Sequence, residues 1–181
     1  MVRQIHKGHN KPFTQAEAAE FLVFADDVLA QPPKRPHTER HHGKGELVLR
    51  FVLPLEMAQP LNRSRKEPTW KSHQVRSAVL KEMERQLARQ ANVLVWPEPL
   101  PGRPMLRAIR FTAGRPDETA CWFKVATDVL LTPKVRRGRK VLALNVLRDD
   151  RPDLLELRHW TEPAPPKRGG ALIEIWTGAT S

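Results

Sequence analysis

Cysteine is nearly absent from these 181 residues. A lone Cys121 excludes an internal disulfide and any zinc site built from several cysteines. There is no tyrosine, and glycine numbers only nine against 17 prolines, a balance that argues against a coiled coil or a long helical repeat. No run approaches the ~18 apolar residues of a membrane helix. Met1 is not followed by the charged, apolar and small-residue pattern of a secretory signal, so the expectation is a cytoplasmic protein without a membrane partner. Acid is the scarcer charge: 20 Asp plus Glu stand against 31 Lys plus Arg, a net charge of +11. That surplus predicts an anionic partner, nucleic acid before acidic lipid. The length fits one domain with its own core.

Residues 1–45 differ from the rest. They hold five of the seven histidines (His6, His9, His37, His41 and His42) and the break Gln31-Pro32-Pro33-Lys34-Arg35-Pro36, and they read as a basic extension. None of these histidines has cysteine partners at zinc spacing, so no zinc is expected. Within the extension Thr14-Gln15-Ala16-Glu17 has capping-box spacing and opens a helix to about Leu29. Ala18, Phe21, Leu22, Phe24 and Ala25 recur with helical period, which predicts docking on the main domain; the first helix of a helix-turn-helix is the alternative.

Residues 46–181 form the main domain. Leu47, Leu49, Phe51 and Leu53 alternate along a strand. Val75, Val79, Met83, Leu87 and Ala91 mark the buried stripe of a helix from about Ser72 to Ala91. Four prolines between Trp96 and Pro104 make a connection. A second strand is expected over Met105 to Thr112, then a helix from Asp117 to Leu131 buried through Trp122, Val125, Ala126, Val129 and Leu130. Lys134 to Lys140 reads as a basic loop with five cations in seven residues, and Val141 to Val146 as a short strand. Leu154 to Trp160 and Ala171 to Thr177 are predicted strands joined as a loose hairpin through Pro163 to Gly170.

On the helix after Pro116, Asp117, Cys121, Lys124 and Asp128 stand at offsets that fall within about 60° of one another. An acidic cap with a Lys124–Asp128 surface pair accounts for this stripe in plain structural terms. The Asp149-Asp150 pair suggests more, since clustered acids in a basic chain supply the hard oxygen ligands that a divalent cation takes. Cys121 lacks an identifiable base and is not expected to act as a nucleophile.

The order of these pieces resembles the RusA-type Holliday junction resolvases over residues 46–177. The matching residues are Leu53-Pro54 with Pro60-Leu61-Asn62-Arg63, Glu118-Thr119-Ala120-Cys121 with Lys124 and Asp128, Asp149-Asp150, and Lys167-Arg168-Gly169-Gly170 before Leu172 to Trp176. The resemblance implies an α/β (α+β) fold, a mixed sheet of about four strands with two principal helices, here with the N-terminal helical extension. It also implies magnesium-dependent, structure-selective endodeoxyribonuclease activity on branched DNA, four-way junctions above all, by a homodimer in recombination or repair, in a host nucleoid or encoded by a phage. Manganese is an alternative metal. Glu118 takes the place of the family's first acid, Lys124 of its lysine, and Asp150, or Asp149, of its late acid; Asp117 is a substitute ligand. Ala120 stands where the family has a second acid and Cys121 where it has Asn, and the stretch from Lys124 to the Asp pair is longer than usual. A module of the same fold that binds branched DNA without cutting it is the alternative. Under either reading Arg63, Arg65, Lys66, Lys71, Arg136, Arg137, Arg139 and Lys140 are the expected DNA contacts, by backbone and shape rather than by a base code. Trp70 is either a core residue or a wedge at a branch point.

Overall fold

Four segments become strands of one mixed sheet: β1 (Leu47–Pro54), β2 (Met105–Thr112), β5 (Glu156–Pro163) and β6 (Gly170–Trp176). The computed structural model describes residues 11–33, 39–58, 69–113, 122–136 and 138–177. Within them lie three helices, α1 (Gln15–Ala30), α2 (Thr69–Ala91) and α3 (Lys124–Leu130), and a two-stranded ribbon, β3 (Lys134–Arg136) and β4 (Arg139–Val141). The strand order is β1-β6-β2-β5; β6 runs antiparallel to both neighbours and β2 parallel to β5. The expected α/β (α+β) architecture with a mixed four-stranded sheet and an N-terminal helix is thus the one observed. No helix among the described residues is long and apolar enough to cross a membrane.

Side-chain alternation splits the core into two layers, one on each face of the sheet. Leu49, Phe51, Leu53, Leu106, Ala108, Ala171, Ile173 and Ile175 pack with Val79, Leu80, Met83 and Leu87 of α2 and Ala126, Val129 and Leu130 of α3. On the opposite face Val52, Ile109, Phe111, Trp160 and Leu172 receive Phe21, Ala25 and Val28 of α1. Thr14 Oγ1 accepts from the Glu17 amide at 3.2 Å while Glu17 Oε2 accepts from the Thr14 amide at 2.7 Å, so the predicted capping box closes α1. Phe21 meets Phe111 edge-on at 5.4 Å. A Cβ on Gly170 would fall 2.7 Å from the Phe21 ring, so glycine there lets the sheet approach α1.

Three expectations are corrected. β5 and β6 do not form a hairpin, because β2 lies between them. β6 is buried on both sides from Gly170 to Ile175, its one charge, Glu174, included, which suits an interior strand, whereas β5 carries Arg158 and His159 and suits an edge. The predicted helix from Asp117 is not continuous: Trp122 and Phe123 form a turn and α3 starts at Lys124. Phe123, which a helix from Asp117 would place off the buried stripe, is buried instead against Trp122. Residues 142–146 form no strand, and the basic loop before them is the β3–β4 ribbon.

Candidate active site

α3 presents Lys124 in its first turn and Asp128 one turn later, the i,i+4 spacing that brings side chains together. The Lys124 ammonium lies 2.9 Å from Asp128 Oδ1 and donates to Asp150 Oδ2 from a segment 26 residues on. The C-terminal carbonyls of α3 bring that segment in. Leu144 N donates to Val129 O at 2.7 Å, Val146 N to Leu130 O at 2.9 Å and Asn145 N to Leu131 O at 3.1 Å, satisfying groups that a helix end leaves without partners. Leu131 and Leu147 then pair as a parallel bridge. Asn145 takes the left-handed conformation at φ 60°, and its side-chain amide donates to Trp96 O at 3.0 Å.

Asp149 completes the group. Its Oδ1 accepts from the Asp150 amide at 2.8 Å, and its Oδ2 lies 3.7 Å from the Lys134 ammonium at the root of the ribbon. Burial is the largest influence on Lys124 and favours loss of its proton. The hydrogen bonds and charges of Asp150 and Asp128 together outweigh it, so the ammonium is held above the ordinary lysine range. The Lys124 hydrogen bond in turn holds the Asp150 carboxyl below the ordinary aspartate range, against partial burial. Both groups are therefore charged at neutral pH. Lysine has three donors, and Lys124 has two carboxylate partners among the described residues.

The structure brings together Lys124, Asp150 and Asp149 of the predicted site. Asp117, Glu118, Ala120, Cys121, Arg63, Arg65, Lys66 and Arg137 lie outside the described residues. Lys71 falls on α2 and Arg136, Arg139 and Lys140 on the ribbon, with side chains outside the description. Two neighbours were not foreseen. Lys134 reaches the acid pair, and His159 of β5 packs at a tilt against Phe123, the residue before Lys124, with ring centroids 4.4 Å apart. Burial, then the nearby His41, pushes the His159 pKa down. The helical spacing signals Asp128; nothing local in the sequence signals His159, because its partner lies on another element.

Among the described residues no three His, Cys, Asp or Glu side chains gather closely enough to hold a metal ion. The donors that are present, adjacent aspartates with hard oxygens, fit magnesium in kind and supply part of a coordination set. Comparison with family models, with curated proteins and with solved structures gave no match.

Proposed function

We propose that the chain is a structure-selective endodeoxyribonuclease of RusA type, hydrolysing phosphodiesters at branched DNA in the cytoplasm as a homodimer. The observation that carries this reading is the convergence of Lys124 and Asp150, residues of the family-like motif 26 positions apart, in one charged contact at the start of α3. With the β3–β4 ribbon set between α3 and β5, the element order β1-α2-β2-α3-β5-β6 otherwise follows the order the resemblance implies and supports the same reading, although β5 and β6 form no hairpin. Lys124 keeps its proton at neutral pH, so its ammonium can donate to a phosphate oxygen as negative charge grows there. Asp128 positions that ammonium. Asp150 and Asp149, with Glu118 and Asp117, would hold magnesium, which when bound supplies polarisation of the phosphate and a more acidic attacking water. Lys134 beside Asp149 gives the incoming strand a further cation.

A labelled four-way junction and a matched linear duplex, each with magnesium and with EDTA, test this. Paired nicks in the junction that need metal, lost by at least ~10²-fold in Lys124→Ala and in Asp150→Asn, are the expected result. Nicking that survives both substitutions removes these residues from the chemistry. Ala120 at the place of the family's second acid favours one other reading, a branched-DNA-binding module without turnover. That reading predicts junction-selective gel shifts without nicks in magnesium or manganese, and gain of nicking in Ala120→Asp.

A further inference from the structure

The β3–β4 ribbon has no evident reason to exist as a piece of the core. Its register sets Lys134 opposite Val141, Val135 opposite Lys140 and Arg136 opposite Arg139. Like charges directly across a ladder destabilise it, and the sequence has no carboxylate between Asp128 and Asp149. Val135 is 72 % exposed, and Leu142, just beyond β4, is 58 % exposed. Apolar side chains this exposed add little to the core. The ribbon is nevertheless anchored at both roots. Lys134 lies against Asp149 of the candidate site, and Arg76 of α2 donates to the Leu142 carbonyl at 2.7 Å.

We infer that this ribbon is an arm that enters the major groove of duplex DNA next to the Lys124–Asp150 centre; the inference rests on the nucleic-acid reading above. Charge names the partner as a polyanion, and dimensions select the groove. Three residues per strand reach about 10 Å, close to the ~8.5 Å depth of the major groove. Two strands ~4.8 Å apart with their side chains fill its ~12 Å width and exceed the ~6 Å of the minor groove. Duplex RNA offers only a deep, narrow major groove and is excluded on the same measure. Cations on the strands meet the flanking phosphates, while Val135 meets base edges, where thymine offers a methyl group.

The test uses the full chain with Arg136→Gln, Arg139→Gln and Lys140→Gln combined, which removes charge and keeps side-chain length. Lys81→Gln with Arg89→Gln on exposed positions of α2 is the control. Affinity for a labelled linear duplex is followed against salt, and guanine N7 methylation, which marks the major groove, is scored for interference. The ribbon variant is expected to flatten the log–log salt slope by about 2 to 3 and to lose N7 interference, with the control near the wild type. An unchanged slope, absence of N7 interference with the unaltered chain, or equal binding of duplex RNA or of anionic lipid vesicles overturns the arm, as does failure to bind duplex at all. Junction nicking is scored separately. Nicking with an unaltered ribbon-variant slope defeats the arm alone, whereas a flattened slope without nicking in any metal defeats the nuclease alone.

Discussion

Asp150 and Lys124 move each other's titration in opposite senses, and the signs decide how pH acts on the pair. Asp150 titrates in the folded chain below its ordinary value of 3.8, so its contribution is complete above that value and is lost as pH falls through the folded pKa. Lys124 titrates above 10.5, so its contribution is complete below that value and is lost as pH rises through the folded pKa. Between these limits the pair is fully charged. Both side chains are more than a third exposed, at 38 % and 35 %, and water screens them. Asp150→Asn is therefore expected to cost no more than about 1 kcal/mol at pH 7, a difference that shrinks toward zero as acid protonates Asp150 in the parent. Urea denaturation at neutral pH and in acid measures it, and a difference unaltered by acid would show that the pair is not its source. The buried charges follow another rule. Glu174 is held by Arg50 at 3.0 Å and accepts from Trp176 Nε1 at 3.3 Å, while Arg107 Nε lies 3.1 Å away, out of line for a hydrogen bond. Arg107 instead lies over Trp160 and Trp176, 5.4 and 5.6 Å from their rings, and burial lowers its pKa. Glu162 has Arg40 and Trp160 Nε1 as partners. Nothing in the period-two pattern of β2, β5 and β6 announces this layer, because an alternating strand with Arg and Glu reads as solvated on one face.

An edge strand must dispose of a row of unpaired backbone groups, and β1 does so with α2. Gln86 accepts from the Val52 amide at 2.9 Å and donates to the Val52 carbonyl at 2.7 Å. Gln90 does the same for Arg50, at 2.9 and 2.6 Å. The match is geometric: four residues of helix advance about 6 Å and two of strand about 6.6 Å, so i,i+4 on α2 tracks i,i+2 on β1. Gln86 also donates to Glu82 at 2.6 Å, and both are nearly inaccessible to water. Gln86→Leu is expected to cost about 2 to 4 kcal/mol, since it strands a buried amide and a buried carbonyl and takes one donor from Glu82, which keeps Arg85, whereas Gln90→Leu, at an exposed site, is expected to cost about 1 kcal/mol or less. Chemical denaturation of both variants checks the difference, and equal costs would mean that the edge is not sealed this way. The fold was legible where one side-chain period ruled: β2 has its predicted bounds, and Val79, Met83 and Leu87 are buried as their spacing requires. It was not legible where partners were chosen at a distance. Gln86 reads as a polar residue beside the stripe, and nothing in Glu156–Pro163 says that it pairs with β2 rather than with the strand that follows it.

The candidate site was legible in kind and partly in place. Helical spacing identified Lys124 and Asp128, but joining Asp150 to them depends on residues 142–147 closing the end of α3, which a chain read segment by segment does not reveal. Charge was legible as a total and not as a pattern, and the pattern matters for binding. Lys124 and Lys134 offset two of the three acids gathered around Lys124, and the whole-chain surplus of +11 acts as a field around the molecule. Such a field acts on every phosphate alike. Engagement of six to ten phosphates makes affinity fall by ~10³ to 10⁵ between 50 and 200 mM salt, for linear and branched DNA in parallel. On the proposed reading, preference for a junction then comes from shape, through the placement of α3, the ribbon and the sheet, and shape is not screened. The ratio of junction to linear affinity is therefore expected to stay within about threefold over that range while each affinity collapses. Titration of both DNAs across the salt series measures it. A ratio that decays with salt would assign selectivity to additional phosphate contacts at the branch instead, and would move the recognition of branched DNA from the folded scaffold to its cationic surface.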